Sequence, residues 1–390
     1  MTGIVLSASV RQNLLSLQST AALLATTQND LSTGKKVNTA LDNPTNFFTA
    51  QGLDNRASDI GNLLDSIGNG VQVLQAANTG LTSLQQLVNT AKSIANQVFQ
   101  VPPGYTTKST TTSTALPAGS TSTNLVDGAA IKSGETLTIP ATNAAAGDVA
   151  TSFTFGATTS LAQLNTALAA NQLSASLDSN NDLVISTTND AASSTVGTVT
   201  LGAAGTATFA APTAPVPDPV SQSTRASLVN QYNNIVTQIT TTAQDSSFNG
   251  INLLNGDNLK LIFDETGKST LNITGGTFNA TGLGISSLTV GTSFLDNNSA
   301  NVALATLNTA STTLRTEASA LGSNLSIVQI RQDFSKNLIN VLQTGSSNLT
   351  LADPNEEAAN SQALSTRQSI AVSALALANQ SQQSVLQLLR

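Results

Sequence analysis

The residue types that most often do chemistry are either missing from this sequence or scattered through it. Its 390 residues contain no cysteine and no histidine. Without cysteine there is no thiol nucleophile, disulfide scaffold or thiolate-held zinc. Without histidine the usual general base near neutral pH and a common metal ligand are gone. A zinc-binding H-E-x-x-H helix cannot be written with what remains. Asp and Glu could still ligate a hard cation or act as acid and base, but the 22 of them are dispersed rather than clustered. No catalytic, cofactor-binding or metal site is expected, and no enzyme.

Charged residues make up 9% of the chain, against about 25% in ordinary globular proteins. Ser, Thr, Asn, Gln and Ala fill the space that charges and aromatics usually take. The formal net charge of −7 argues against binding a phosphate backbone, which needs clustered Lys and Arg. No run approaches the roughly 18 apolar residues of a membrane span. The opening residues, MTGIVLSASVRQNLLSLQ, carry no basic leader or cleavage pattern, so no cleaved secretory signal is expected.

The spacing that does carry information is apolar. In the last stretch, Ile370, Ala374 and Leu377 fall on one side of a helix. Leu364, Ala371, Ala378 and Val385 recur every seven residues on a neighbouring side, joined by Leu375 and Leu389. Such a helix is apolar over more than half its circumference. It needs cover on several sides, in a large core or among copies of itself. Near the other end, Val10, Leu14, Leu17, Ala21, Leu24, Gln28 and Leu31 alternate steps of four and three, a coiled-coil-like seam.

The elements that position these rows follow in order. A helix over 7–33 stops near Gly34, and Asp42-Asn43-Pro44 marks a turn. A long helix over 45–100 carries Leu53, Ile60, Ile67, Leu74, Leu81, Val88 and Ala95 at intervals of seven. Gly68, Gly70 and Gly80 within it imply a local break or a close approach of another element. After Pro102-Pro103 the composition changes: residues 106–124 read as an exposed Thr/Ser-rich loop. Strand-like runs follow at 136–139, 152–155, 173–177 and 183–187, with a helix over 160–170 capped by Ser160. Prolines before residue 221 read as a stiff linker. Helical spacing resumes at Ser223, then come two Asn-Gly turns, a β-hairpin over 259–273 and a short strand at 287–290. A third long helix over 298–349 repeats Leu307, Leu314, Leu321, Val328 and Leu342 by sevens, interrupted at Ser335. Asp353-Pro354 starts the last helix.

The order is nearly palindromic, so the simplest folding pairs the terminal helices with each other and the two long helices with each other. The expected fold is mainly α with β-rich parts (α+β): an elongated, antiparallel, coiled-coil-like rod made by both chain ends, with a β-hairpin and an inserted, mostly β outer domain. Residues 1–42 plus 352–390 form an inner terminal-helix domain, 43–100 plus 222–351 a long-helix domain, and 101–221 the insert. Ile60, Ile67, Leu74, Leu81, Leu307, Leu314, Leu321 and Val328 are expected to pack the long helices.

Several stretches carry a resemblance. They are SASVRQNLLSLQSTAALLATTQNDLSTGKKVNTALDNPTNFFTA, IGNGVQVLQAANTGLTSLQQLVNTAKSIANQ, DSSFNGINLLNGDNLKL, RQDFSKNLINVLQTGSSNLTLADPNEEAANS and the closing QSVLQLLR. As a set they resemble bacterial flagellins of the alphaproteobacterial kind. The resemblance implies a secreted, extracellular filament subunit for swimming motility, exported through the flagellum's own type III channel without a cleaved signal. Its partners would be itself as a helical homopolymer, the export apparatus and a chaperone, and hook-associated and cap proteins. It assigns the self-assembly interface to Val10, Leu14, Leu17, Leu24, Leu31, Ile370, Ala374, Leu377, Val385, Leu388 and Leu389. Many flagellins are ligands of an animal innate immune receptor through a charged patch on the first long helix. The matching stretch here, LTSLQQLVNT at 81–90, lacks those charges, so weak or no recognition is expected. The alternatives are a hook–filament junction protein, which shares paired terminal helices, and a secreted coiled-coil adhesin or effector, which does not need them.

Overall fold

The protein is described by a computed structural model over residues 8–114, 116, 120–141 and 149–388. Helix α1 (Ala8–Thr33) ends where Gly34 takes φ +68°, the left-handed position that a helix C-terminus reserves for glycine. Asp42 closes the connector by accepting from the N–H groups of Asn38 and Thr39. The side chain of Asn43 then accepts from Asn46 N–H at 3.0 Å, and Pro44 takes the first position of α2 (Pro44–Gln97). That helix runs unbroken for 54 residues and tightens into one 3-10 turn, Val98–Gln100. Two of its glycines mark close approaches, and none breaks it. A Cβ on Gly70 would land on Leu261, and one on Gly80 on Ser246 and Leu254.

The insert begins with β1 (Tyr105–Thr107) and β2 (Thr110–Thr112). It continues through β3 (Thr136–Ile139), β4 (Thr151–Thr154), α3 (Leu161–Ala169), β5 (Leu173–Leu177) and β6 (Leu183–Thr187). The short strands β7 (Thr200–Leu201) and β8 (Val216–Pro217) close it. One three-stranded antiparallel sheet has the order β2-β6-β5 and another β4-β3-β7, while β1 pairs with β8. Leu137, Ile139, Phe155, Leu164, Leu168, Leu183 and Ile185 meet in one buried cluster between these elements. Ser160 caps α3 in a full capping box with Gln163.

Two expectations about this region are corrected. The Thr/Ser-rich stretch is in part strand β2 rather than exposed loop. Ser109 and Thr111 are buried because their hydroxyls donate to the carbonyls of Thr213 and Ala210, both at 2.6 Å, which removes the cost of desolvating them. The proline-rich run is not all linker either. Asp218 caps α4 (Pro219–Asp245), with Pro219 at its first position.

The turn after α4 is organised by Asn252. Its amide donates to the carbonyls of Ala243 and Gln244, both at 2.8 Å, and its Oδ1 accepts from Leu254 N–H, so one side chain ends the helix and starts the next turn. Asn249 and Gly250 both take positive φ, as a tight Asn-Gly turn requires. A hairpin follows, β9 (Asn258–Ile262) and β10 (Thr270–Thr274). No strand forms at 287–290. There the Asn233 side chain pairs with both backbone groups of Leu288 at 2.8 Å, and a single amide replaces a strand partner. Asp296 caps α5 (Asn297–Thr350) through Ser299 N–H. Helix α5 passes Ser335 without interruption, and that small residue lies buried in the heptad row. Asp353 and Pro354 open α6 (Pro354–Leu388).

By packing the chain forms two compact units, one within residues 1–70, 260–271 and 327–390, the other within 71–259 and 272–326. In the first, α1 lies against α6, and Lys35 bridges Leu351. There the start of α2 meets the end of α5 around Ala57, Ile60 and Leu342. Arg56 pairs with Glu265 at 2.7 Å, and Arg331 sits 5.7 Å from the centroid of Phe263, holding the hairpin tip from two helices. The second unit holds the rest of the long helices, α4 and the insert.

Candidate assembly surfaces

The α1–α6 pair is built from two helices that bury little. The covered positions of α1 run Val10, Asn13, Leu17, Thr20, Leu24 and Thr27, at steps of three and four, with Ala21 and Asp30 half-buried beside them. Val10, Thr20 and Thr27 are buried, and Leu17 and Leu24 half-buried. Leu14 and Leu31, expected in the seam, are exposed, at 37% and 41%. The seam is therefore rotated, with Asn13, Thr20 and Thr27 more covered than the expected Leu14, Ala21 and Gln28. Thr20 can face a neighbouring helix because its hydroxyl is already bonded to Ser16 O at 2.9 Å.

On α6 the partly covered positions are Glu357, Ser361, Leu364, Gln368, Ala371, Leu375 and Ala378, again at steps of four and three. This is the seven-residue row read from the sequence, and it faces inward in the chain. Ile370, Ala374 and Leu377 lie outside it and are exposed, Leu377 at 71%. Leu389 and the side chains of Val385 and Leu388 lie outside the described residues. Beside these, Leu15, Leu23 and Val372 are more than half exposed.

The result is two terminal helices with a thin, polar-interrupted seam and large apolar side chains on their other faces. Between Thr33 and the helix start, α1 has two charges, Arg11 and Asp30; α6 has one, Arg367, after Glu357. Exposed large apolar side chains in such number are the kind of surface that associates. It does not fit a membrane span: among the described residues no helix is long and apolar enough to cross one. Among the described residues no group of three His, Cys, Asp or Glu side chains converges to hold a metal ion.

The long-helix residues sit differently. Ile60, Ile67, Leu74, Leu81, Leu307, Leu314, Leu321 and Val328 are all buried, none more than 2% exposed. Their row continues through Ala57, Val88 and Ala95 on α2 and Ala300 and Leu342 on α5. The seven-residue rows of the long helices are thus buried within the chain, although α5 also exposes Ile330, Phe334 and Val341, whereas the terminal helices bury only a thin seam.

Sequence reading missed three polar residues that organise the second unit: Asn252, Asp296 and above all Arg225. Arg225 is 1% exposed. A lone Arg on a helix gives no sequence sign of burial, although its i, i+3 spacing to Leu228 placed it on the apolar face. Burial of its neighbour Tyr232 pushes that phenol up to about 12.

Comparison with curated proteins gives no match. Comparison with protein families matches residues 6–118 to the bacterial flagellin N-terminal helical region and residues 304–389 to the bacterial flagellin C-terminal helical region. These two models cover both chain ends in the expected order, and together half of the sequence. Buried long helices, under-covered terminal helices and both family regions converge on one conclusion: the chain belongs to the bacterial flagellins, structural subunits that polymerise into the flagellar filament.

Proposed function

We propose that this protein is an extracellular filament subunit for swimming motility, of the alphaproteobacterial type, whose terminal helices complete their packing only against neighbouring copies. The observation that carries this is the contrast between the buried rows of α2 and α5 and the exposed Leu14, Leu31, Ile370, Ala374 and Leu377 on α1 and α6. Burying a leucine or isoleucine contributes roughly 1.5–3 kcal/mol, repeated in every subunit. Unlike surfaces joined by a rotation that does not close give an open helical polymer. Val385, Leu388 and Leu389 belong to the same proposed interface.

On this reading the chain leaves the cell through the flagellar type III channel, accompanied by a chaperone, and joins a filament bounded by hook-associated and cap proteins. A cysteine-free chain suits passage as an unfolded thread. The stretch 81–90 presents Thr82, Gln86, Asn89 and Thr90 to solvent and no charge, which supports weak or no recognition by the innate immune receptor. Negative-stain microscopy of purified protein, intact and lacking residues 1–33 and 361–390, tests the proposal. The intact chain should give filaments and the truncated chain none. Filaments from the truncated chain would sink it, and an intact chain that never polymerises would favour a junction protein.

A further inference from the structure

The insert meets the helices of its unit through more than the two strands that lead in and out. Those strands are themselves tied: Tyr105 pairs with Pro217, Thr106 Oγ1 donates to Val216 O at 3.2 Å, and Asp218 N–H donates to Gly104 O at 2.8 Å. Directly beneath, Arg225 of α4 spreads its guanidinium over four carbonyls. Its Nε donates to Pro102 O at 3.0 Å, Nη1 to Phe294 O at 2.8 Å, and Nη2 to Val101 O and Val98 O at 3.0 and 3.2 Å. One planar side chain thereby joins the end of α2, the body of α4 and the residues before α5, in the fork geometry that only arginine offers.

The far side of the same knot reaches the insert again. Ser193 Oγ donates to the carboxylate of Asp296, which is 4% exposed and also caps α5. Next to Ser193, Ala191 and Ala192 are fully buried. Phe294, between the Arg225 and Asp296 contacts, is fully buried with φ +58° and stacks edge-on to Tyr232 at 5.8 Å. A bulky residue keeps that backbone only where its surroundings over-determine it.

We propose that Arg225, Asp296 and Ser193 are positioning residues that clamp the insert at a fixed attitude on α4 and α5, so that it moves with them as one body rather than swinging on its two strands. The paired strands alone form a narrow ribbon free to twist and bend. The Ser193–Asp296 contact, made far along the chain from the entry strand, adds a third point that removes this freedom, and Arg225 keeps the base from which both arise.

The cysteine-free sequence permits a direct test on the full-length monomer, whether or not filaments form. Spin labels on Ser179→Cys in the insert and Ala305→Cys on α5, both exposed, report one inter-label distance distribution. The clamped insert should give a single narrow peak, Ser193→Thr should keep it, and Ser193→Ala should broaden it about twofold or more with unchanged helical circular dichroism. Arg225→Gln should broaden it further. A broad distribution in the otherwise unaltered chain, or a peak that stays narrow in Ser193→Ala, would overturn the proposal.

Discussion

At the scale of single residues, the glycines of the long helices separate two effects that a sequence cannot. Gly52 and Gly322 face open space, with nothing within 4 Å of where a Cβ would stand, whereas at Gly80 a Cβ would strike Ser246 and Leu254. Gly52→Ala and Gly322→Ala should each stabilise the monomer by about 0.5–1 kcal/mol through helix propensity. Gly80→Ala should destabilise it by about 1–3 kcal/mol, because overpacking outweighs that gain; denaturant melts of the three variants check the sign. Titration sets a second expectation. Burial alone would push Asp127 up, but the N–H groups of Ala129, Ile131 and Ala130 and the Ser120 hydroxyl more than offset it and hold its carboxyl below the usual range. Its contribution is therefore present above the unfolded value near 4 and lost as pH falls through the lower folded one. Tyr232 behaves oppositely: the raised value of about 12 gives stability that is intact below about pH 10 and lost as pH rises through about 12. Burial also holds the Glu317 carboxyl above its usual range; with no histidine, monomer stability should then be flat from about pH 7 to 8, and a thermal-melt series that shows a transition there would contradict this. What was legible at this scale was apolar spacing and capping: Ser160, Gly34 and Asp353 act as read, while Pro44, read as part of a turn, is the first residue of α2. Arg225, Asn252 and Asp296 were not legible, because their roles come from carbonyls and hydroxyls that only the fold brings to them.

At the scale of elements, the two kinds of helix answer to different tests. Leu314 is fully buried within the chain, so Leu314→Ala should cost the monomer about 2–5 kcal/mol. Leu377 is largely exposed, so Leu377→Glu should change monomer stability by no more than about 0.5 kcal/mol and yet prevent polymerisation, as read by sedimentation. Normal filaments from Leu377→Glu would remove Leu377 from the interface. The helices, the hairpin and the central strands were legible because each has a period or a turn signal of its own. The rotation of the α1 seam was not: Val10, Leu17 and Leu24 fit two registers, one completed by Leu14 and Leu31, the other by Thr20 and Thr27, and apolarity alone picks the first. The chain by itself takes the second, which leaves leucines outward. Strand β2 escaped notice for a related reason, since its threonines read as solvated until Thr213 and Ala210, distant in the chain, supply their partners.

At the scale of the molecule, labour is divided between the two kinds of helix. The long helices and the insert are each held by buried rows of their own, while the terminal helices leave apolar faces exposed, which we propose other copies cover. Helices with so thin a seam are marginal alone and open locally at little cost. Hydrogen exchange compared between monomer and assembled protein tests this most directly. Amides of α1 and α6 should exchange orders of magnitude faster in the monomer than those of α2 and α5 around Leu81 and Leu314, and become protected on polymerisation, with the insert unchanged. Equal protection of α1 and α6 in monomer and polymer would contradict the account.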